Sequence, residues 1–294
     1  MTKILRKTLV ALAAVLAAAI VLSVVGIVMF KGTPAWYSDA AGDRPTAAQR
    51  EQLARAAESK MIDAQNWAAT LRADAQRAQH ATTATTARAE ATHVIEFSDH
   101  ELNALFDKWS VLYGWRDKYA DYLEDPRVIL QNDRLILAGR MKELGAVASF
   151  QFRPQLDAAG KLRLDLVRVT GGKLPLPEGA WAKWRDQIVD ATRKNVPKWR
   201  AQARIDSSGA ANFPAMAATL SRLLFAVAEK HPAEPVLFLP LAGERDSVPV
   251  KVARVAVETG KLTLTVEPMS PAERAALLDR IRATADRDAR AAGN

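Results

Sequence analysis

Between Leu9 and Phe30 the chain has no charged side chain, and Ser23 and Gly26 are the only breaks in an otherwise apolar stretch. At about 1.5 Å per residue a helix of that length spans roughly 33 Å, enough to cross a hydrocarbon core of about 30 Å. In lipid such a segment can satisfy its backbone only as a helix. The remaining sequence has no second run of this kind, so a single crossing is expected. Lys3, Arg6 and Lys7 precede the run, and basic residues beside a span are retained in the cytoplasm. The bulk of the chain is then expected outside it, in the inner membrane of the cell envelope. A cleaved signal peptide has an apolar core of about 7 to 15 residues and a small-x-small cleavage site. This run is longer and exits through Lys31, Gly32, Thr33 and Pro34, which reads as an uncleaved signal anchor. Trp36 and Tyr37 are expected near the outer headgroup layer, where amphipathic rings are favoured.

The chain has no cysteine, so neither a disulfide nor a thiolate contributes to stability or chemistry. A hydrophobic fraction of 49% supports an ordinary core instead. Lys3, Arg6, Lys7 and Lys31 supply half of the net charge of +8; beyond them 37 basic residues face 33 acidic ones. So mild a balance does not predict a nucleic-acid partner, which needs a concentrated basic face.

Past the anchor, residues 46–79 read as one helix. It opens on a Thr46–Gln49 capping box and carries Ala54, Ala57, Met61, Ala64, Ala68 and Leu71 at spacings of three and four. That thin seam suits packing against the chain's own domain better than a coiled coil, whose a and d positions need larger side chains. A linker follows over residues 80–92. A short strand at 93–97 then leads to a Ser98–Glu101 capping box and a helix whose apolar stripe is Leu102, Leu105, Phe106, Trp109, Leu112 and Tyr113. From 127 to 170 the period changes to two, with strands expected at 127–131, 134–140, 146–152 and 161–170, joined by short turns. Leu174, Pro175, Leu176 and Pro177 end that meander, since proline donates no ladder hydrogen bond. A basic helix over 178–200, interrupted near Pro197, and an apolar helix over 214–230 come next. Strands at 236–241, 248–257 and 261–267 follow, and a Ser270–Glu273 capping box opens the last helix. The expected fold class is α+β: an N-terminal transmembrane helix, a helical stalk, then an antiparallel sheet covered by helices. The corresponding segments are a cytoplasmic tail over 1–8, the span over 9–30, a juxtamembrane helical stalk and linker over 31–92, and an extracytoplasmic domain over 93–294.

The residues yield no catalytic constellation. His80, His93, His100 and His231 do not fall at metal-ligand spacing, and no nucleophile elbow, P-loop or dinucleotide fingerprint is present. Asp121, Glu124 and Asp125 before Pro126 read as a solvated helix end rather than a cation site. No catalytic residue, metal or cofactor is therefore assigned, and the chain is not expected to be an enzyme. Two surfaces remain. Trp181, Lys183, Trp184, Arg193, Lys194, Lys198, Trp199 and Arg200 form a basic, indole-bearing segment that suits anionic headgroups; ordinary packing of a surface helix produces the same amphipathicity. Leu102, Leu105, Phe106 and Trp109, with Leu174 and Leu176, are the candidate lining of an apolar groove.

The stretch from Ile95 to Pro177 resembles single-pass bacterial membrane proteins of the YpmS-like kind. The motifs that carry the likeness are Glu101-Leu102-Asn103-Ala104, Leu135 to Gly139, Leu144-Gly145, Phe152-Arg153-Pro154, Gly160 to Leu164 and Leu174 to Pro177. More loosely it is similar to TULIP-like lipid-binding proteins, which implies a long helix in a curved antiparallel sheet enclosing a lipid groove. The resulting expectation is a membrane-anchored, non-enzymatic domain that binds an apolar ligand or the membrane surface, with membrane lipid as its partner. The alternative is a structural or assembly protein that binds another envelope protein.

Overall fold

The period-two alternation between residues 127 and 170 becomes an antiparallel meander in the computed structural model, which describes residues 28–42, 44–80, 92–112, 114, 116–206, 209–229, 232–240 and 247–292. Strands β2 (Leu123–Gln131), β3 (Arg134–Met141), β4 (Ala146–Leu156), β5 (Leu162–Gly171) and β6 (Leu174–Pro175) lie in that order in one sheet. The β2–β3 turn places Asn132 and Asp133 both at positive φ, the conformation that a two-residue hairpin requires. A second, four-stranded antiparallel sheet has the order β1-β9-β8-β7, from β1 (His93–Ser98), β7 (Val236–Pro240), β8 (Ser247–Glu258) and β9 (Lys261–Pro268). The α+β class with antiparallel strands and helices therefore holds, with two sheets in place of the single one expected. The first strand of the domain joins the last hairpin, His93 pairing with Val266 and Ser98 with Lys261.

Seven helices are described: α1 (Ala35–Gly42), α2 (Ala47–His80), α3 (Asp99–Leu112), α4 (Arg116–Tyr119), α5 (Glu178–Gln202), α6 (Phe213–Glu229) and α7 (Pro271–Ala292). The three capping boxes form as the sequence indicates. Thr46 N–H donates to Gln49 Oε1 at 2.8 Å, Ser98 N–H to Glu101 Oε2 at 2.8 Å and Ser270 N–H to Glu273 Oε2 at 2.8 Å. The alanine seam of α2 is buried: Ala57, Ala64 and Ala68 share a core with Ile95, Phe97, Leu105, Leu239, Val250 and Val266. Small side chains let the helix backbone sit close to the four-stranded sheet, so over this seam α2 belongs to the folded body. Lys60 and Glu58 of α2 pair with Glu101 and Lys108 of α3.

Helix α3 runs along the edge of the five-stranded sheet, where Asn103 caps strand β2. Its side-chain amide accepts from Val128 N–H at 2.7 Å and donates to Val128 O at 2.7 Å. An exposed edge is thereby closed without a further strand. Helix α5 continues through Pro197 rather than breaking there. Proline removes one backbone hydrogen bond, but the following turn is held by buried Val196 and Arg200 and by Trp199, which packs on Ala203, Ala211 and Leu277. The Glu124–Asp125 segment, expected as a helix end, is instead the bulged start of β2.

Apart from its last residues, Val28 to Phe30, the apolar run lies outside the described residues, as do Tyr113 and most of the linker. Among the described residues no helix is long and apolar enough to cross a membrane.

Candidate functional site

The two residue sets singled out from the sequence separate in space. On α3, Leu102, Leu105 and Trp109 pack against Ile95, Phe97 and Val250, and Phe106 stacks on Tyr119 with ring centroids 5.9 Å apart. Trp109 Nε1 donates to Glu58 Oε1 at 3.2 Å. The space beneath the stripe is filled by core side chains. Leu174 and Leu176 sit at the β6 edge, whereas α3 lies against β2 at the opposite edge. Four strand spacings of about 4.8 Å put those edges roughly 19 Å apart. A common apolar groove lined by all six is therefore corrected to a packed core on one side and a sheet edge on the other.

The described candidates on basic helix α5 do not share one face. Trp181 meets Phe150 edge-on at 6.4 Å and lies beneath the Arg185 guanidinium at 5.4 Å. Trp199 and Arg200 are drawn inward, and Arg193 lies over the Phe225 ring at 5.9 Å. Lys194 and Lys198 are exposed; the side chains of Lys183 and Trp184 lie outside the described residues. The two ends of this helix are separated by about 36 Å, at about 1.5 Å per residue. Packing of the indoles, rather than a lipid-facing row, accounts for the described part of the pattern.

What the fold does bring together lies where the apolar run ends. Lys173 N–H donates to Met29 O at 2.9 Å, and Gly172 N–H donates to Val147 O at 2.7 Å. The end of the run is thus bonded to the β5–β6 turn, which is itself bonded to β4. Gly171 and Gly172 make the approach possible: a Cβ on Gly171 would collide with the Phe30 ring, and one on Gly172 with the Phe30 carbonyl. Arg140 Nη2 donates to Thr33 Oγ1 at 3.3 Å just beyond. Sequence reasoning missed this junction, although a glycine pair at the end of a strand pattern is the signal for a close approach of another backbone.

From there α1 lies on the sheet. Tyr37 packs with Ile129, Ile136, Ala138 and Val147, and its hydroxyl donates to Asp125 O at 2.8 Å. Only 3% exposed, Tyr37 is a core residue, which corrects its expected place among headgroups. Burial pushes its hydroxyl up to about 12, and the Asp125 carboxylate adds to the shift while Arg127, Arg140 and Arg44 oppose it. An unfolded tyrosine ionises near 10, so as pH rises from 10 towards 12 the unfolded chain loses a proton that the folded chain keeps, and stability falls. Tyr37→Phe is expected to be less stable than the parent by about 1 kcal/mol at pH 8, from the lost hydrogen bond. The gap should close by about pH 11, where the parent has lost roughly 1 to 1.5 kcal/mol through this group. Thermal melts of both chains at the two pH values check this, and a gap that stays constant or widens overturns it.

Beside α1 a cleft of about 490 Å³ opens between the end of α3, α4 and the bulged start of β2. Asp125, at φ +49, holds Arg44 and Arg127 there, the latter at 3.0 Å. Asp107 is raised above the usual carboxylate range chiefly by burial, with Arg127 and Arg50 pulling the other way. The mouth carries Arg116 and Lys142, with Glu124 beside them, all three exposed; Arg116 also acts electrostatically on Asp107. His93 stacks on Trp67 at 5.2 Å, and among the described residues no group of three metal-ligating side chains converges.

No protein-family model matches the chain, and neither the curated proteins nor the solved structures contain a match.

Proposed function

We propose that the chain is a single-pass, membrane-anchored domain that stands outside the cytoplasm and acts non-enzymatically at the membrane surface. Leu9 to Phe30 crosses the bilayer, with Lys3, Arg6 and Lys7 on the cytoplasmic side. The observation that carries this reading is the junction at Phe30. The last residues of the run are bonded to the β5–β6 turn rather than joined to the domain by a free linker, so an anchor there holds one end of the sheet against the bilayer. Of the two ligand readings, the filled space beneath α3 favours the membrane surface over an apolar cargo.

The topology is tested with reporters fused after Asn294. Alkaline phosphatase should be active and green fluorescent protein dark, and the chain should resist alkaline extraction from membranes. A fluorescent cytosolic fusion, or a mature chain beginning after Phe30, overturns the proposal.

A further inference from the structure

We propose that the anchor end of the five-stranded sheet is a lipid-binding face, on which exposed Val111, Leu112 and Tyr122 enter the interfacial layer and the adjoining cleft takes an anionic phospholipid headgroup through Arg116 and Lys142. The inference rests on the anchored reading above.

Strand direction fixes the geometry. In an antiparallel sheet of this order, the start of β2, the β3–β4 turn, the start of β4 and the β5–β6 turn all lie at one end. A continuous set of backbone bonds connects them. Met29 O receives Lys173 N–H, Gly172 N–H reaches Val147 O, Ala146 pairs with Met141, and Lys142 N–H donates to Tyr122 O at 3.0 Å. Three strand spacings of about 4.8 Å therefore place Tyr122 roughly 14 Å from the point where the apolar run enters the sheet. Helix α3 delivers its last turn to the same end, because Asn103 is fixed to Val128 and Val111 reaches the cleft beside Leu123.

The side chains at this end are unusual for a water-facing surface. Val111 is 61% exposed, Leu112 66% and Tyr122 69%, with Val28 and Met29 also exposed where the run emerges. Large apolar groups gathered at one end of a sheet mark a contact surface. Leu112 belongs to the stripe that the sequence assigns to the core, yet the fold leaves it uncovered. Between these residues, Lys31, Arg116, Lys142 and Lys173 are exposed cations, with Asp117, Asp121, Glu124 and Glu143 as the nearby exposed acids; the cleft itself carries Arg44, Arg50, Arg116, Arg127 and Lys142 against Asp107, Glu124 and Asp125. An apolar rim beside cations is the composition that binds an anionic bilayer interface. The occupant follows from where the undescribed apolar segment begins, since the bilayer it would span meets the sheet at this end. Basic helix α5, by contrast, starts close to this end and leads its far indole to the α6–α7 core.

The absence of native cysteine permits single-site labelling of the full chain. Leu112→Cys carries an environment-sensitive dye; Ala158→Cys, exposed in the β4–β5 turn at the opposite end of the same sheet, is the control. Each labelled chain is reconstituted in vesicles of phosphatidylcholine alone or with 30% phosphatidylglycerol, containing a headgroup-level lipid quencher. The expected result is quenching at position 112 that strengthens with phosphatidylglycerol, and none at 158. The pair Arg116→Glu and Lys142→Glu should abolish the dependence on anionic lipid, at about a fivefold loss for each charge removed. A chain that floats with the vesicles while its 112 dye stays unquenched overturns the face and leaves the anchoring intact. A chain that does not float overturns both. Protection that grows with the protein-to-lipid ratio assigns the face to a second copy of the chain and also overturns the proposal.

Discussion

Gly172→Ala is expected to lower the melting temperature of the full chain by about 6 to 12 °C. Two costs combine. The residue lies at φ +59, where an L side chain is disfavoured by about 1 to 2 kcal/mol. The new Cβ would also strike the Phe30 carbonyl and lie 2.6 Å from Met29 O. Those are backbone atoms and cannot rotate away, so either the turn or the end of the apolar run must shift, at about 1 to 3 kcal/mol for an overpacked site. A total near 3 kcal/mol, at about 2 to 4 °C per kcal/mol for a chain of this size, gives the stated shift. Gly160→Ala is the matched control: its φ is +70, and its Cβ would meet nothing within 4 Å. It should show the backbone cost alone, about 1 to 2 kcal/mol. Thermal melts in one detergent compare the two variants. Equal shifts would mean that the docked end of the run contributes nothing to stability, and the argument for an oriented domain would fail with it.

The contrast between those glycines also marks where the sequence is informative. Local signals translate directly into structure: each of the three capping boxes forms, and Asn132-Asp133 and Thr259-Gly260 turn their hairpins. The pairing of β1 with β9 joins residues more than 160 positions apart. No local period encodes that, and it is why one expected sheet becomes two. Periodicity showed that Leu102, Leu105 and Trp109 face something, but not that core side chains rather than a ligand would fill the space. The same limit hid Leu112, whose position in the stripe is regular and whose surroundings are open. Pro197 misled for a different reason, because tertiary contacts of Trp199 and Arg200 outweigh one missing backbone bond. The candidate site was not legible: Arg116, Tyr122, Lys142 and Gly172 carry no motif that singles them out, and they come together only through strand order, which the sequence did not disclose.

Lys60→Met is expected to cost about 2 to 3 kcal/mol, and more than the substitution of its partner. Glu101, only 8% exposed, accepts from Lys60 Nζ at 2.6 Å on Oε1 and 2.8 Å on Oε2, and from Ser98 N–H at 2.8 Å. Removing the lysine leaves a buried carboxylate with no cation from α2, and breaking a buried pair this way costs about 3 to 5 kcal/mol. The Lys60 side chain is 38% exposed, so solvent reaches the pair and the lower figure applies. Glu101→Gln should cost about 1 to 2 kcal/mol, because the amide oxygen still accepts from Ser98 and the released lysine can turn to water. The double substitution should cost at least 1 kcal/mol less than the sum, since it leaves no unbalanced charge. Melts in 0.15 M and 1 M salt should give nearly the same values if the pair is shielded, whereas an exposed pair would fade. The test also decides how α2 works. Lys60 lies on α2 and Glu101 on α3, so a helix standing clear of the domain as a stalk would make Lys60→Met silent and the cycle strictly additive. A coupling of 1 kcal/mol or more requires α2 to be a structural part of the folded body.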